Sequence, residues 1–310
     1  MSPYDQAQRL GWSPGREPAD PAAARRTLCH ELRRARSDAG YTRRRVCEVL
    51  GWSLAKQQRI ETGQVGLSPT DLRALLDIYG VHDRQARERL EQMAARSRRE
   101  QWSAFRQVLT AQTRAYLNWE GVASRLRHYE PLLIPELLRT EAYAWAVIRA
   151  LAPPDTPQRL MRLRLEACLA RQAVLDRDDP PSLYFVIEHS ALYRPVRAGN
   201  TRCPVMTEQV QRLCELTDRP NISIQVLSPR LGLHRGLAGP FTLLDLCGDD
   251  SVVYLPERAH PALTTPDDVA DHERAFVDLA AAGSPLQANA RAPGPHELQP
   301  IPQHAKVTTQ

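Results

Sequence analysis

Gly40, Gly51, Gly63 and Gly80 cut residues 21–80 into short amphipathic segments, and that punctuation constrains the fold more than any other feature of the chain. Asp20-Pro21 reads as an N-cap followed by proline at the first helical position, opening a helix whose Leu28, Leu32 and Ala35 recur at helical spacing and which runs to Gly40. Thr42 caps a second helix with Val46, Cys47 and Leu50 inward, stopped at Gly51, where a residue without a Cβ takes positive φ. Ser53 caps a third, ending near Gly63. Ser68-Pro69 with Asp71 three residues after the serine resembles a capping box and starts a fourth through Leu72, Leu75, Leu76 and Tyr79 to Gly80. The spacing predicts four short helices in a compact bundle.

Charge follows the same division. Of 41 basic residues only Lys56 and Lys306 are lysine, leaving 39 arginines, whose planar fork suits carboxylate and phosphate alike. Residues 21–106 carry 18 basic and 10 acidic side chains, whereas residues 107–310 carry 21 and 23. A basic N-terminal third on a nearly neutral remainder is the pattern of a nucleic-acid module attached to something else. An arginine-rich solvated surface is the other reading that charge alone allows. The 310 residues favour about two domains. No run of 18 apolar residues exists, and residues 1–20 lack the apolar core of a secretory signal, so a cytoplasmic protein without a membrane partner is expected. Cys29, Cys47, Cys168, Cys203, Cys214 and Cys247 show no C-x-x-C spacing and are expected to be reduced core residues, with no metal and no cofactor.

Thr42–Gly63 (TRRRVCEVLGWSLAKQQRIETG) has the parts of a helix-turn-helix: small Cys47 where two helices pack, a turn at Gly51, and Ile60 as the core anchor of a recognition helix. It resembles the lambda-repressor-like, XRE-type helix-turn-helix family, whose pattern ends in the Glu-x-Gly that Glu61-Thr62-Gly63 reproduces. The resemblance implies double-stranded DNA as partner. It also implies a structural pairing of Arg36 with Glu61, and structural roles for Gly51 and Gly63. Arg43 takes the place of a phosphate-contacting glutamine. Ser53, Leu54, Ala55 and Arg59 match the groove-facing start of the recognition helix, Arg59 being the candidate for guanine; Leu54 could touch a thymine methyl. Lys56 lies toward the backbone, and Gln58 either contacts DNA or is solvated. Gln57 stands where the family places a buried Val or Ile, which predicts an open or poorly packed position. Because one such unit reads few base pairs, a homodimer on half-sites about 34 Å apart is expected.

Residues 83–128 read as one long charged helix linking two halves, with further helical patterns over 135–150 and 158–175. Only then does the period change: Leu183–Glu188, Ile222–Leu227, Pro240–Leu246 and Ser251–Leu255 are strand-like, with helices at about 205–217 and 267–282. The predicted fold is mainly α with a C-terminal α+β part: a helix-turn-helix bundle, a long linking helix, then helices and a small mixed sheet. The expected boundaries are a disordered 1–20, a DNA-binding 21–82, a helical linker 83–105, a regulatory or partner-binding 106–284 and a disordered tail 285–310.

Tyr129–Ala144, Arg171-Gln172, Glu208–Leu246 and Val252–Glu257 resemble the regulatory domain of actinobacterial antitoxin-like regulators of the Scr type, with Glu136 and Arg139 standing where that pattern has Gly and Gln. The resemblance implies a transcriptional regulator whose gene neighbours one for a small partner protein. A partner-neutralising antitoxin with secondary DNA binding is the alternative; a ligand sensor or enzyme ranks below both. His234, Gly236 and Gly239 lie in a glycine-bounded loop (LGLHRGLAG) that is either a tight structural turn or an effector or partner site. Glu188-His189-Ser190 lacks a nucleophile elbow, so no catalytic residue is expected. His189, His234, His260 and His272 have no spacing that puts two metal ligands on one face. Trp102, Trp119, Tyr143 and Trp145 read as core or helix-interface residues rather than a ligand cage.

Overall fold

The computed structural model describes residues 21–98, 102–194, 196–198, 201–202, 205–246, 251–256 and 266–286. The chain divides into two compact units, Met1–Gln101 and Trp102–Gln310. The expectations of disorder over 1–20 and 287–310, and the readings of Cys203, Cys247 and His260, lie outside the described residues.

The first unit contains α1 (Pro21–Asp38), α2 (Arg43–Leu50), α3 (Leu54–Glu61), α4 (Pro69–Ile78) and α5 (Arg84–Ser97). Each start after the first is fixed locally. The side chains of Thr42, Ser53, Ser68 and Asp83 accept hydrogen bonds from the backbone amides of Arg45, Lys56, Asp71 and Ala86. Gly51 closes α2 at φ 66°. At Gly63 φ is 72°, and an added Cβ would also sit 3.2 Å from Cys29 Sγ, so both backbone and packing call for glycine. Leu28, Leu32, Val46, Ile60, Leu72, Leu75 and Leu76 form the core. The fifth helix packs on the first through Leu90, Met93 and Ala94, while Arg25 donates to the carbonyl of Ser97 at 2.6 Å and Arg98 to that of Leu67 at 2.8 Å.

The continuous helix expected over 83–128 is not formed. The helical run ends at Ser97, a 3₁₀ turn follows at Ser103–Phe105, and α6 (Ala111–Val122) starts afresh under a Thr110 cap. Arg125–Glu130, read as the end of that helix, is instead the first strand, β1.

The second unit is built on a six-stranded sheet of β1, β2 (Ser182–Glu188), β5 (Ile222–Leu227), β6 (Phe241–Asp245), β7 (Ser251–Tyr254) and β8 (Ser284–Pro285), in the order β7-β6-β1-β2-β5-β8. A separate two-stranded pair, β3 (Arg197–Ala198) and β4 (Thr201–Arg202), lies between β2 and β5 in the chain. Strands β1, β2 and β5 run parallel, in register through Tyr129↔Val186 and Val186↔Gln225, and β6 joins β1 antiparallel at Tyr129↔Phe241. The helices of this unit are α6, α7 (Glu141–Leu151), α8 (Gln158–Arg171), α9 (His189–Tyr193), α10 (Val205–Thr217) and α11 (Pro266–Ala282). One sheet face packs Leu126, Phe185 and Ile224 against α6, α7 and α10, with Trp102 and Tyr143 buried there. The other packs Tyr129, Val186 and Phe241 against Phe276 and Leu279 of α11. Edge strand β8 pairs with β5, and Leu286 after it is buried.

The unforeseen β1 is central yet polar. Its Arg127 reaches Asp245 of β6 at 2.7 Å and Glu273 of α11 at 2.9 Å, and His128 Nδ1 meets Thr242 Oγ1 at 2.7 Å on the opposite face. Around it Arg171 grips Glu120 through two bonds of 2.6–2.7 Å and Glu136 through one of 2.6 Å. Burial alone would raise the Glu136 carboxyl, but Arg171 and Arg139 outweigh it and hold it below the usual carboxylate range. The two departures from the regulatory-domain pattern are thus linked: Arg139 lies 3.7 Å from Glu136 and donates to the carbonyl of Ile134 at 2.7 Å.

His128 is nearly enclosed, with 14% of its side chain exposed, and burial, reinforced by the positive charge of Arg171, pushes its pKa down to about 3. Between that value and the ordinary histidine range near 6.5, the unfolded chain binds a proton that the folded one refuses. Stability therefore falls as pH drops through this window, with a slope for this group approaching about 1.4 kcal/mol per pH unit. Chemical denaturation of the wild type and His128→Asn between pH 7 and 4 should show a shallower loss in the variant.

Candidate nucleic-acid interface

The helix-turn-helix is held by one carboxylate. Glu61, the last residue of α3, is 1% exposed. Its Oε1 accepts from Arg36 Nε at 2.6 Å and Gln57 Nε2 at 2.9 Å, and its Oε2 from Arg43 Nε at 2.9 Å and Arg36 Nη2 at 3.4 Å. Arg36 also donates to the carbonyl of Tyr41 at 2.8 Å, tying the turn between α1 and α2 to the same point. Gln57 is fully buried, neither open nor loosely packed as its residue type led one to expect. Its amide nitrogen reaches the Tyr79 hydroxyl at 3.3 Å, which brings α4 into the cluster, while its carbonyl oxygen has no hydrogen-bond partner among the described residues. Burial raises the Tyr79 hydroxyl pKa, the Gln57 hydrogen bond acts the other way, and the Glu61 charge adds to the rise. Tyr79 stays protonated at neutral pH.

Around this anchor, α3 turns Ser53, Leu54, Ala55 and Gln58 outward, all exposed, with Arg59 half-buried and its Nε bonded to the carbonyl of Ala55 at 3.2 Å. Lys56 lies 3.9 Å above the Trp52 ring and 2.9 Å from Asp71, so its amine is steered sideways toward α4. The helix before the turn opens with three arginines in succession. Arg44 and Arg45 are 84% and 64% exposed and pair with Glu48 of their own helix, at 3.6 and 3.1 Å. Arg43 is 32% exposed and leans on Glu61. The pairing of Arg43 with Glu61 and the depth of Gln57 were not legible in sequence, because their partner lies 18 and 4 residues on and only the folded turn brings all three together.

The second group of candidate residues lies in the loop between β5 and β6. His234 turns inward: its Nε2 is 3.1 Å from Glu188 Oε1, which also accepts from the Tyr129 hydroxyl at 2.9 Å, and its ring meets Tyr129 edge-on. Its Nδ1 is buried and has no hydrogen-bond partner among the described residues. Gly236 lies so close to Tyr129 that a Cβ would stand 2.5 Å from the ring, and Gly239 donates back to the Gly236 carbonyl at 3.0 Å. Outward the loop turns three leucines, Leu231, Leu233 and Leu237, which are 38%, 95% and 59% exposed, together with Arg230 and Arg235. Glu188 and Tyr129, absent from the sequence-derived candidates, hold this loop, while neighbouring His189 stacks on Tyr193 at 4.0 Å. Among the described residues no group of three or more His, Cys, Asp or Glu side chains could hold a metal ion, and no helix is long and apolar enough to cross a membrane.

A capped helix-turn-helix with a basic face, followed by a separate unit of helices on a mixed sheet, defines the class. Residues 27–90 match a helix-turn-helix domain, and residues 113–290 match a domain of unknown function (DUF5753). The second match spans more than half of the chain, which belongs to that family. No curated protein and no solved structure matches it.

Removing the anchor should destabilise the helix-turn-helix unit. Glu61→Ala leaves Arg36 and Arg43 facing an emptied, half-dry site. The cost should be about 3 kcal/mol, the lower end for a broken buried pair, because both arginines partly reach water. Urea unfolding followed by far-ultraviolet circular dichroism reads the loss.

Proposed function

We propose that this protein is a sequence-specific, DNA-binding transcriptional regulator of antitoxin-like type. Residues 21–82 grip duplex DNA as one half of a homodimer, and residues 106–284 bind a partner protein. The observation that carries the DNA reading is the juxtaposition of Arg43, Arg44 and Arg45 at the start of α2 with the outward row Ser53, Leu54, Ala55, Gln58 and Arg59 of α3. Three cations at a helix N-terminus favour phosphate, and the first turns of the next helix are then presented to base edges. In this reading Arg59, released from the Ala55 carbonyl, forks onto guanine, and Arg43 meets phosphate from the first turn of α2.

Fluorescence anisotropy on duplex from the protein's own upstream region, at two salt concentrations and with competitor DNA, tests it. Arg59→Ala should cost about 1 to 3 kcal/mol on the preferred site and little on random duplex. Arg43→Ala should weaken both and lower the salt slope by about one. Equal losses on the two DNAs for Arg59→Ala would remove its base-reading role.

The partner reading draws on the leucines of the β5–β6 loop. A side chain as bare as Leu233 gains nothing in water, and the latch of His234, Glu188 and Tyr129 beneath it keeps the display rigid. The partner is the small protein encoded beside genes of this type, and the dominant role is either regulation or neutralisation of that partner. Co-purification of that protein with the full chain should be lost in the double variant Leu233→Asp, Leu237→Asp, while duplex binding persists. Retained co-purification would place the partner elsewhere.

A further inference from the structure

The outward face of α3 does not have the make-up of a surface that meets only water. Its first turn is apolar: Leu54 is 56% exposed and Ala55 beside it is exposed. Leu54 and Gln58 stand four residues apart and share one row on the helix, as do Ala55 and Arg59 in the row beside it. Cations lie to either side of Leu54 and Ala55 along the chain, with Arg44 and Arg45 largely exposed on α2 and Lys56, next to Ala55, held against Trp52 and Asp71.

An apolar spot between cations fits a surface that carries anionic rails with an apolar group recessed between them. The major groove of duplex DNA is such a surface, and the apolar group that its floor presents is the C5-methyl of thymine. A protein partner would need an acidic rim around a pocket for one leucine. Gln58 and Arg59, one turn behind Leu54 and Ala55, suit the polar edges of adenine and guanine, which favours DNA.

We infer that Leu54 is a specificity-determining residue that selects a thymine in each half-site by packing on its C5-methyl group. The inference rests on the DNA-binding reading above and adds the identity of one base and the atom by which it is recognised. No hydrogen bond is involved. The discrimination is the removal of one methyl group from water, worth about fourfold in affinity for each thymine.

The experiment begins with selection of duplex sites from a random library by the full chain. In the selected site each thymine is then replaced in turn by deoxyuridine, which lacks only the methyl group, and affinities are measured for the wild type, Leu54→Ala and Leu54→Met. One position per half-site should lose about fourfold in affinity on losing its methyl in the wild type and in Leu54→Met, and should lose nothing in Leu54→Ala. The salt slope of all three proteins should be the same, because no phosphate contact changes. The inference is overturned if no single methyl matters, or if Leu54→Ala keeps the same sensitivity as the wild type. If no site is selected and duplex binding shows no salt dependence, the DNA-binding reading itself falls and takes the inference with it. As Leu54 is exposed, thermal unfolding of Leu54→Ala should match the wild type.

Discussion

A single carboxylate, Glu61, is taken out of water at the point where α1, α2, α3 and α4 meet, and the N-terminal unit is arranged around supplying it with donors. Desolvating a carboxylate costs several kcal/mol unless its oxygens are fully engaged. Here Arg36 and Gln57 share one oxygen, and Arg43 and Arg36 share the other. Arginine suits this task better than lysine because its fork reaches both oxygens while a further nitrogen reaches the Tyr41 carbonyl. Such a centre specifies geometry more than it adds stability. Four elements must hold their mutual positions for the charge to be satisfied, which gives α3 a fixed pose on a core of only modest size.

The same device recurs beneath the sheet of the second unit, where Arg171 lies between Glu120 and Glu136 and its Nη2 meets the Tyr116 hydroxyl at 2.9 Å. The Tyr116 ring stacks on Tyr254 of β7 at 4.0 Å, so the charge cluster joins two helices to an edge of the sheet. Burial and the Glu120 charge both push the Tyr116 hydroxyl pKa up, and Arg171 opposes them, leaving the phenol a neutral donor to Glu120. A chain with 39 arginines and few aromatic residues builds its interior from ion pairs as well as from apolar contacts. In the buried clusters around Glu61 and Arg171 the partners come from different elements, so neither is complete within one helix.

That dependence decides what could be read from the sequence. The starts of α2, α3 and α4 were legible because each rests on a serine or threonine three residues from the amide it satisfies, and their ends because glycine marks them. The strands β2, β5, β6 and β7 were legible from their apolar runs. Strand β1 was not: RLRHYE holds only Leu126 and Tyr129 as apolar residues, three apart as on a helix, and Arg127 finds its acceptors 118 and 146 residues away. Edge strand β8 is two residues long and borrows its regularity from β5. At the interface, the resemblance pointed to Arg36 as the partner of Glu61 but not to Arg43 or Gln57. In the second unit the glycine-bounded loop was visible, while the inward turn of its histidine depends on Glu188, which only the sheet brings near.

The orientation of that loop changes what it can do. A histidine between glycines invites a ligand when drawn as sequence, yet in the fold Nε2 is committed to Glu188 and Nδ1 is enclosed, so neither nitrogen is offered to a solute. Gly236 is required because Tyr129 occupies the space of its Cβ, and the tyrosine is in turn fixed by the Glu188 carboxylate that holds the histidine. The polar groups thus hold the loop from below, and the leucines above are displayed in a set geometry. A partner that packs on Leu233 and Leu237 would meet side chains on a backbone already ordered, and would lose less conformational freedom than docking onto a loose loop requires. The chemistry of this loop is that of a presented apolar edge with a polar foundation, and its histidine belongs to the foundation.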